Sequence, residues 1–129
     1  MSGVLEQAAA LEASWYTGRR AWFGSSGELV PARRLADGLA QASATFRRDG
    51  WMPGEFGLWE VLDGDRDVRM VARQVLELLI CARTGASAAD PILWDLVPGR
   101  TIEQVLNLLA EGEAYARHYG PAVVEAGDR

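Results

Sequence analysis

Few residues in this 129-residue chain have the type and spacing to do chemistry. Asp63-Gly64-Asp65-Arg66-Asp67 has the alternating acids that open a calcium loop, where oxygen ligands recur at every second position. The pattern fails downstream: Val68 stands where the turn glycine is needed and Gln74 where a bidentate Glu is needed. Acids just before a helix also cap it and complement its dipole, so capping is the preferred reading and no metal is assigned. His118 ends a helix beside Tyr115 and Tyr119, with Glu111 and Glu113 a turn or two back, but no Ser or Cys nucleophile accompanies it. Cys81 falls in the most apolar stretch and is expected to be a buried, inert thiol. All 13 basic residues are Arg, which removes Schiff-base lysines and the phosphate lysine of a P-loop. One His and one Cys remove multi-His sites, Cys-clustered zinc and an internal disulfide. No catalytic residue and no cofactor are assigned.

Arg100 is the most suggestive charged residue. It follows Gly99 and precedes Thr101, which with Gln104 forms a capping box at the start of a helix. The structural expectation is a bidentate Asp95–Arg100 pair that rigidifies the loop, with Trp94 packed into the core as its anchor. The functional alternative is a small anionic ligand, phosphate or carboxylate, held by Gly99, Arg100 and the first helix amides.

Five Trp exceed what a small helical core requires. Trp15, Trp22, Trp51, Trp59 and Trp94, with Tyr16, Phe23 and Phe56, gather around two loops, bordered by Arg19-Arg20, Arg33-Arg34 and Arg47-Arg48. They are either core filling or an exposed patch, and Trp beside Arg is the composition of an interaction hot spot. On the second reading Trp15, Arg19, Arg20, Trp22, Trp51, Trp59 and Arg100 are the binding candidates, while Trp94, Asp95, Thr101 and Gln104 are structural. Residues 1–59 balance six Arg with six acids, whereas residues 60–129 hold seven Arg and twelve acids, so the whole net charge of −5 lies in the second half. A neutral half and an acidic half disfavour nucleic acid as a partner.

The elements that must position these residues are helical. Apolar residues recur at helical spacing in segments of about Gly3–Tyr16, Ala32–Arg48, Asp67–Arg83 and Ile102–His118. The third is apolar over more than half its circumference and is expected to be central. Residues 21–30 read as a small hairpin around Gly24-Ser25-Ser26-Gly27 or as an irregular loop. Residues 50–66 read as a structured loop with a helical turn near Phe56–Leu62. The expected fold is a mainly α, compact four-helix domain over residues 1–120 with Trp-rich loops, followed by a flexible tail over 121–129. No apolar run reaches the roughly 18 residues of a membrane span, and Glu6 and Glu12 argue against a signal peptide. A cytoplasmic location with a reduced cysteine is expected.

The stretch Trp94-Asp95-Leu96-Val97-Pro98-Gly99-Arg100-Thr101-Ile102-Glu103-Gln104-Val105 resembles a pattern of a small uncharacterised family of actinobacterial and actinophage proteins, W-(N/D)-D-x-x-x-R-T-x-E-(E/Q)-V. Trp15-Tyr16-Thr17-Gly18 and Gly50-Trp51-Met52-Pro53-Gly54 are similar to further elements of that family. The chain departs from the pattern at Leu96 and at Leu35-Ala36, where the family often has Asp and Cys. The resemblance implies a fold and a setting, not an activity. The expected function is a non-enzymatic interaction protein that recognises a protein partner or forms a homodimer through the aromatic and Arg surface of residues 15–59. The alternative is a small-molecule-binding or accessory enzyme domain with a pocket between the Trp-rich loops, where Arg100, Asp95, Glu55 or Glu60 supply polar contacts.

Overall fold

The four strongly periodic segments fold as helices in the computed structural model, which describes residues 3–122. In chain order the helices are α1 (Val4–Trp15), α2 (Ala32–Asp49), α3 (Leu58–Val61), α4 (Arg66–Thr84), α5 (Pro91–Asp95) and α6 (Ile102–Tyr119), with a 3-10 turn at Arg20–Trp22. The fold is mainly helical with almost no strand, as the periodicity requires. Residues 123–129, most of the expected tail, lie outside the described residues. Pro121, at its start, accepts a hydrogen bond from the Ala32 amide at 2.7 Å, which ties the end of α6 to the start of α2.

The apolar girth of α4 predicts its place. It packs against α1, α2, α5, α6 and the 3-10 turn. Val71, Ala72, Val75, Leu78 and Leu79 are fully buried. The most extensive helix pair is α2 with α6. Gly112 permits their approach, because a Cβ there would overlap Leu39 of α2 and Leu76 of α4. Asp65 caps α4 by accepting from the Asp67 and Val68 amides, and Thr101 caps α6 through the expected box with Gln104. No helix among the described residues is long and apolar enough to cross a membrane.

Three loop regions take the following forms. The hairpin shrinks to one antiparallel bridge, Phe23 with Leu29, because Arg20–Trp22 coils into a 3-10 turn that carries Trp22 inward. The helical turn expected near Phe56–Leu62 is α3, while a second bridge pairs Met52 with Phe56. Residues 91–95, read as loop, form α5. Its signal is Asp90-Pro91, an N-cap whose carboxylate accepts from the Ile92 amide, followed by a proline at the first helical position.

Candidate functional site

The aromatic and Arg face expected over residues 15–59 does not assemble. Trp22 is fully buried, its indole N–H donating to Glu12 at 3.0 Å and its ring stacked on Tyr115. Trp51 is half-buried and donates to Asp95 at 2.5 Å. Trp59 lies under the Arg69 guanidinium, 3.8 Å from its ring centre. Arg19 reaches Glu12 and donates to the Tyr119 carbonyl at 2.7 Å, so it staples α1 to the end of α6. Of these candidates Trp15 and Arg20 are exposed without such engagement. The physical reason is common to the three indoles: a large ring with one N–H donor is most stable where that donor meets an acceptor or the ring meets a cation, and Glu12, Asp95 and Arg69 supply these.

Glu12 is a centre that the sequence did not disclose. It is 6% exposed and accepts from the Trp22 indole and from the Tyr115 hydroxyl at 2.6 Å. Burial, the hydrogen bond to Glu12 and the Glu12 charge push the Tyr115 phenol far above its ordinary range. Asp95 is a second buried carboxylate, 4% exposed. It does not pair with Arg100 as expected. It accepts from the Trp51 indole and, at 2.8 Å, from the Leu58 amide, so its side chain caps the start of α3 from α5. Gly57 stands at that helix start without a side chain to cap it, and its own amide donates to Glu60 at 2.9 Å. Glu60 is thereby used in capping.

The acidic run behaves as caps and staples. Asp65 pairs with Arg34, Asp63 pairs with Arg69, and Asp67 accepts from the Ser26 amide and from both the Ser25 and Ser26 hydroxyls. Among the described residues no three His, Cys, Asp or Glu side chains are grouped to hold a metal. Cys81 is buried, and burial and Glu77 push its thiol up.

A concavity runs along α6. It encloses about 1150 Å³ between α6, the first turn of α1 and the last turns of α4. Gln104, Asn107, Glu111, Ala114 and His118 line it from one stripe of α6 at spacings of three and four. Val4, Leu5, Ile80 and Leu108 supply apolar wall. Glu111 is neutralised by its ion pair with Arg83. At the mouth nearest the start of α6 stand Trp94 and Arg100. Trp94 packs against the core without being fully buried: it is half-buried, with the Arg100 guanidinium 3.8 Å from its ring centre. The Arg100 Nε donates to the Trp94 carbonyl at 3.0 Å.

A tight turn aims that arginine. The Arg100 amide donates to the Val97 carbonyl at 3.1 Å, with Pro98 and Gly99 at the two central positions. Gly99 has φ of 86°, the geometry that a type II turn demands of its third residue. The helix start beyond it offers less to an anion than the sequence implied, since the Thr101 hydroxyl already takes the Gln104 amide and the Gln104 side chain takes the Thr101 amide. Arg100 thus keeps its candidacy, His118 and Glu111 line the same groove, and Arg83 and Asn107 join them unannounced, because nothing in their spacing separates a groove face from a solvated one. Comparison with protein-family models, with curated proteins and with solved structures gives no match.

Proposed function

We propose that this chain is a non-enzymatic binding protein whose ligand lies in the groove along α6. The supporting observation is the placement of the Trp94–Arg100 stack at the mouth of a largely apolar concavity of about 1150 Å³, a little above the size range of ligand pockets. Among its polar groups Arg100 is held by Trp94, and Arg83 and Glu111 hold each other. The experiment is a ligand screen read by two-dimensional ¹⁵N–¹H spectra of the full chain. Binding in the groove moves the Trp94 indole and the backbone signals of Asn107, Glu111 and Ala114. Shifts confined to residues 15–59 would refute the groove.

A second reading, a protein partner or a homodimer, draws on different residues from those first expected. Leu93, Leu96 and Val97 follow one another at i, i+3 and i+4 and are 63%, 46% and 47% exposed. Leu96 lies against the turn that carries Met52, itself 51% exposed. Exposed aliphatic groups gathered at one place mark interaction surfaces. Sedimentation of the wild type and of Leu93→Asp over a wide concentration range tests it: association lost in the variant supports the reading, and a concentration-independent monomer refutes the homodimer.

A further inference from the structure

We infer that the ligand of the α6 groove is an amphipathic monoanion, a carboxylate on a straight apolar tail, with its head on the Arg100 guanidinium. The inference rests on the groove being the binding site, as proposed above. It starts from a comparison within the chain. Arg69 and Arg100 are built alike: each guanidinium lies 3.8 Å from a tryptophan ring centre, and each Nε donates to the backbone carbonyl of that same tryptophan, at 2.9 Å and 3.0 Å. At Arg69 the arrangement is completed by a carboxylate, Asp63, 3.2 Å from Nη1. At Arg100 no described residue does this, and Nη1 and Nη2 have no protein acceptor among the described residues. Arg20, Arg33, Arg47 and Arg66 also lack a carboxylate partner there, but all four are exposed and none lines the groove, whereas Arg100 is half-buried and does.

A half-buried cation held rigid on two sides is pre-organised for a planar oxyanion, and its Nη pair matches a carboxylate by two parallel hydrogen bonds. One negative charge suits Arg100 itself, since Arg83 is already paired with Glu111; Glu6, at the α1 end of the groove, is its other carboxylate. The tail follows from the walls. Val4, Leu5, Ile80, Leu108 and Trp94 give the groove its apolar surface, which Gln104, Asn107, Glu111 and His118 border with polar groups along roughly 21 Å of α6. A compact polar anion would leave most of that surface uncovered.

The test uses the full chain with butanoate, octanoate and dodecanoate, and with octanol as the uncharged tail, all below micelle-forming concentrations. Titrations are followed by calorimetry and by the Trp94 indole signal. Affinity is expected to rise by about two- to four-fold per methylene from butanoate to octanoate. Octanol is expected to bind about ten-fold or more weakly than octanoate. Arg100→Gln should remove that preference while octanol still binds, which shows the variant folded, and Arg33→Gln should retain it. Equal affinity for octanol and octanoate, or an Arg100→Gln variant that keeps the preference, would overturn the head-group assignment and leave the groove reading intact. If neither probe moves any groove signal, the groove reading itself falls. Groove signals that move with protein concentration instead would assign the groove to a second copy of the chain and overturn the proposal.

Discussion

Replacing Asp95 by Ala tests the reassignment of this residue from an ion-pair partner to a structural centre. The carboxylate is buried and holds two donors from different segments, the Trp51 indole and the Leu58 amide that opens α3. Truncation leaves both without that acceptor, at about 1–3 kcal/mol each, offset in part by relief of the buried carboxylate's own desolvation. The net expectation is a loss of about 2–4 kcal/mol, or roughly 6–16 °C in Tm for a domain of this size. Gly57→Ala reaches the same centre by another route. Gly57 has φ of −109°, which alanine adopts freely, but the added Cβ would overlap the Asp95 carboxylate. Urea unfolding of both single variants and the double variant forms a cycle. The double variant is expected to lose little more than Asp95→Ala alone, a coupling of about 1–3 kcal/mol. Acidity gives a second reading of the same centre. Burial pushes the Asp95 carboxyl above its ordinary 3.8, against the Leu58 amide and the Trp51 indole, which pull it down. The folded chain therefore holds this proton more tightly than the unfolded chain does. The contribution of Asp95 is complete below the ordinary value and declines as pH rises through the raised one. The gap between wild type and Asp95→Asn should accordingly narrow from mildly acidic to neutral pH. Costs that add within about 0.5 kcal/mol in the cycle, or a gap that widens toward neutral pH, would refute the reasoning.

Three further outcomes follow from the other buried and capped groups. Glu12→Ala strands the Trp22 indole and the Tyr115 hydroxyl and should cost about 3 kcal/mol in chemical denaturation; in the wild type, ultraviolet titration should find Tyr115 still protonated where an ordinary tyrosine has ionised, until the chain unfolds. Thr101→Ala removes the hydroxyl that takes the Gln104 amide and should cost about 1 kcal/mol by urea unfolding, with the groove signals unmoved beyond the first turn of α6. The Ser26 amide and hydroxyl hold Asp67 below its ordinary 3.8, so its contribution is present above that value and lost as pH falls through the lowered one; Asp67→Ala should lower Tm at neutral pH, and the difference from wild type should close in stronger acid.

The long helices were legible because their information is local. Apolar spacing and end signals such as Thr101 with Gln104 act within one or two turns, and α4 reads as central from its own girth. The short α5 carried a local signal too, Asp90-Pro91, but five residues are too few to show a helical apolar period. The candidate site was legible only in part. Arg100, Trp94 and the cap were identified, yet their partners were not, because those partners are fixed by tertiary placement. Asp95 lies five residues from Arg100, close enough in sequence to suggest an ion pair. The fold instead turns its carboxylate toward Trp51 and Leu58, 44 and 37 residues away. Glu12 on a helical segment reads as solvated until Trp22 and Tyr115 meet it from two other elements.

The excess of tryptophan has a physical account. A helical core offers few free backbone acceptors, since its carbonyls are spent within the helices. An indole buried there needs an acceptor from a side chain, and a carboxylate buried there needs donors. Trp22 with Glu12 and Trp51 with Asp95 answer both needs at once, and among the described residues no buried side-chain polar atom is left without a partner. Trp59 and Trp94 are served differently, each by an arginine that covers the ring and returns a hydrogen bond to the same residue's carbonyl. A lysine ammonium has no planar face to lay on the ring while its nitrogen bonds elsewhere, so this double engagement belongs to Arg. Four of the five indoles are thereby accounted for by structure, and composition alone overstated the recognition surface. What distinguishes the fourth is that its arginine, having met the ring and the carbonyl, still presents two nitrogens at the mouth of a groove.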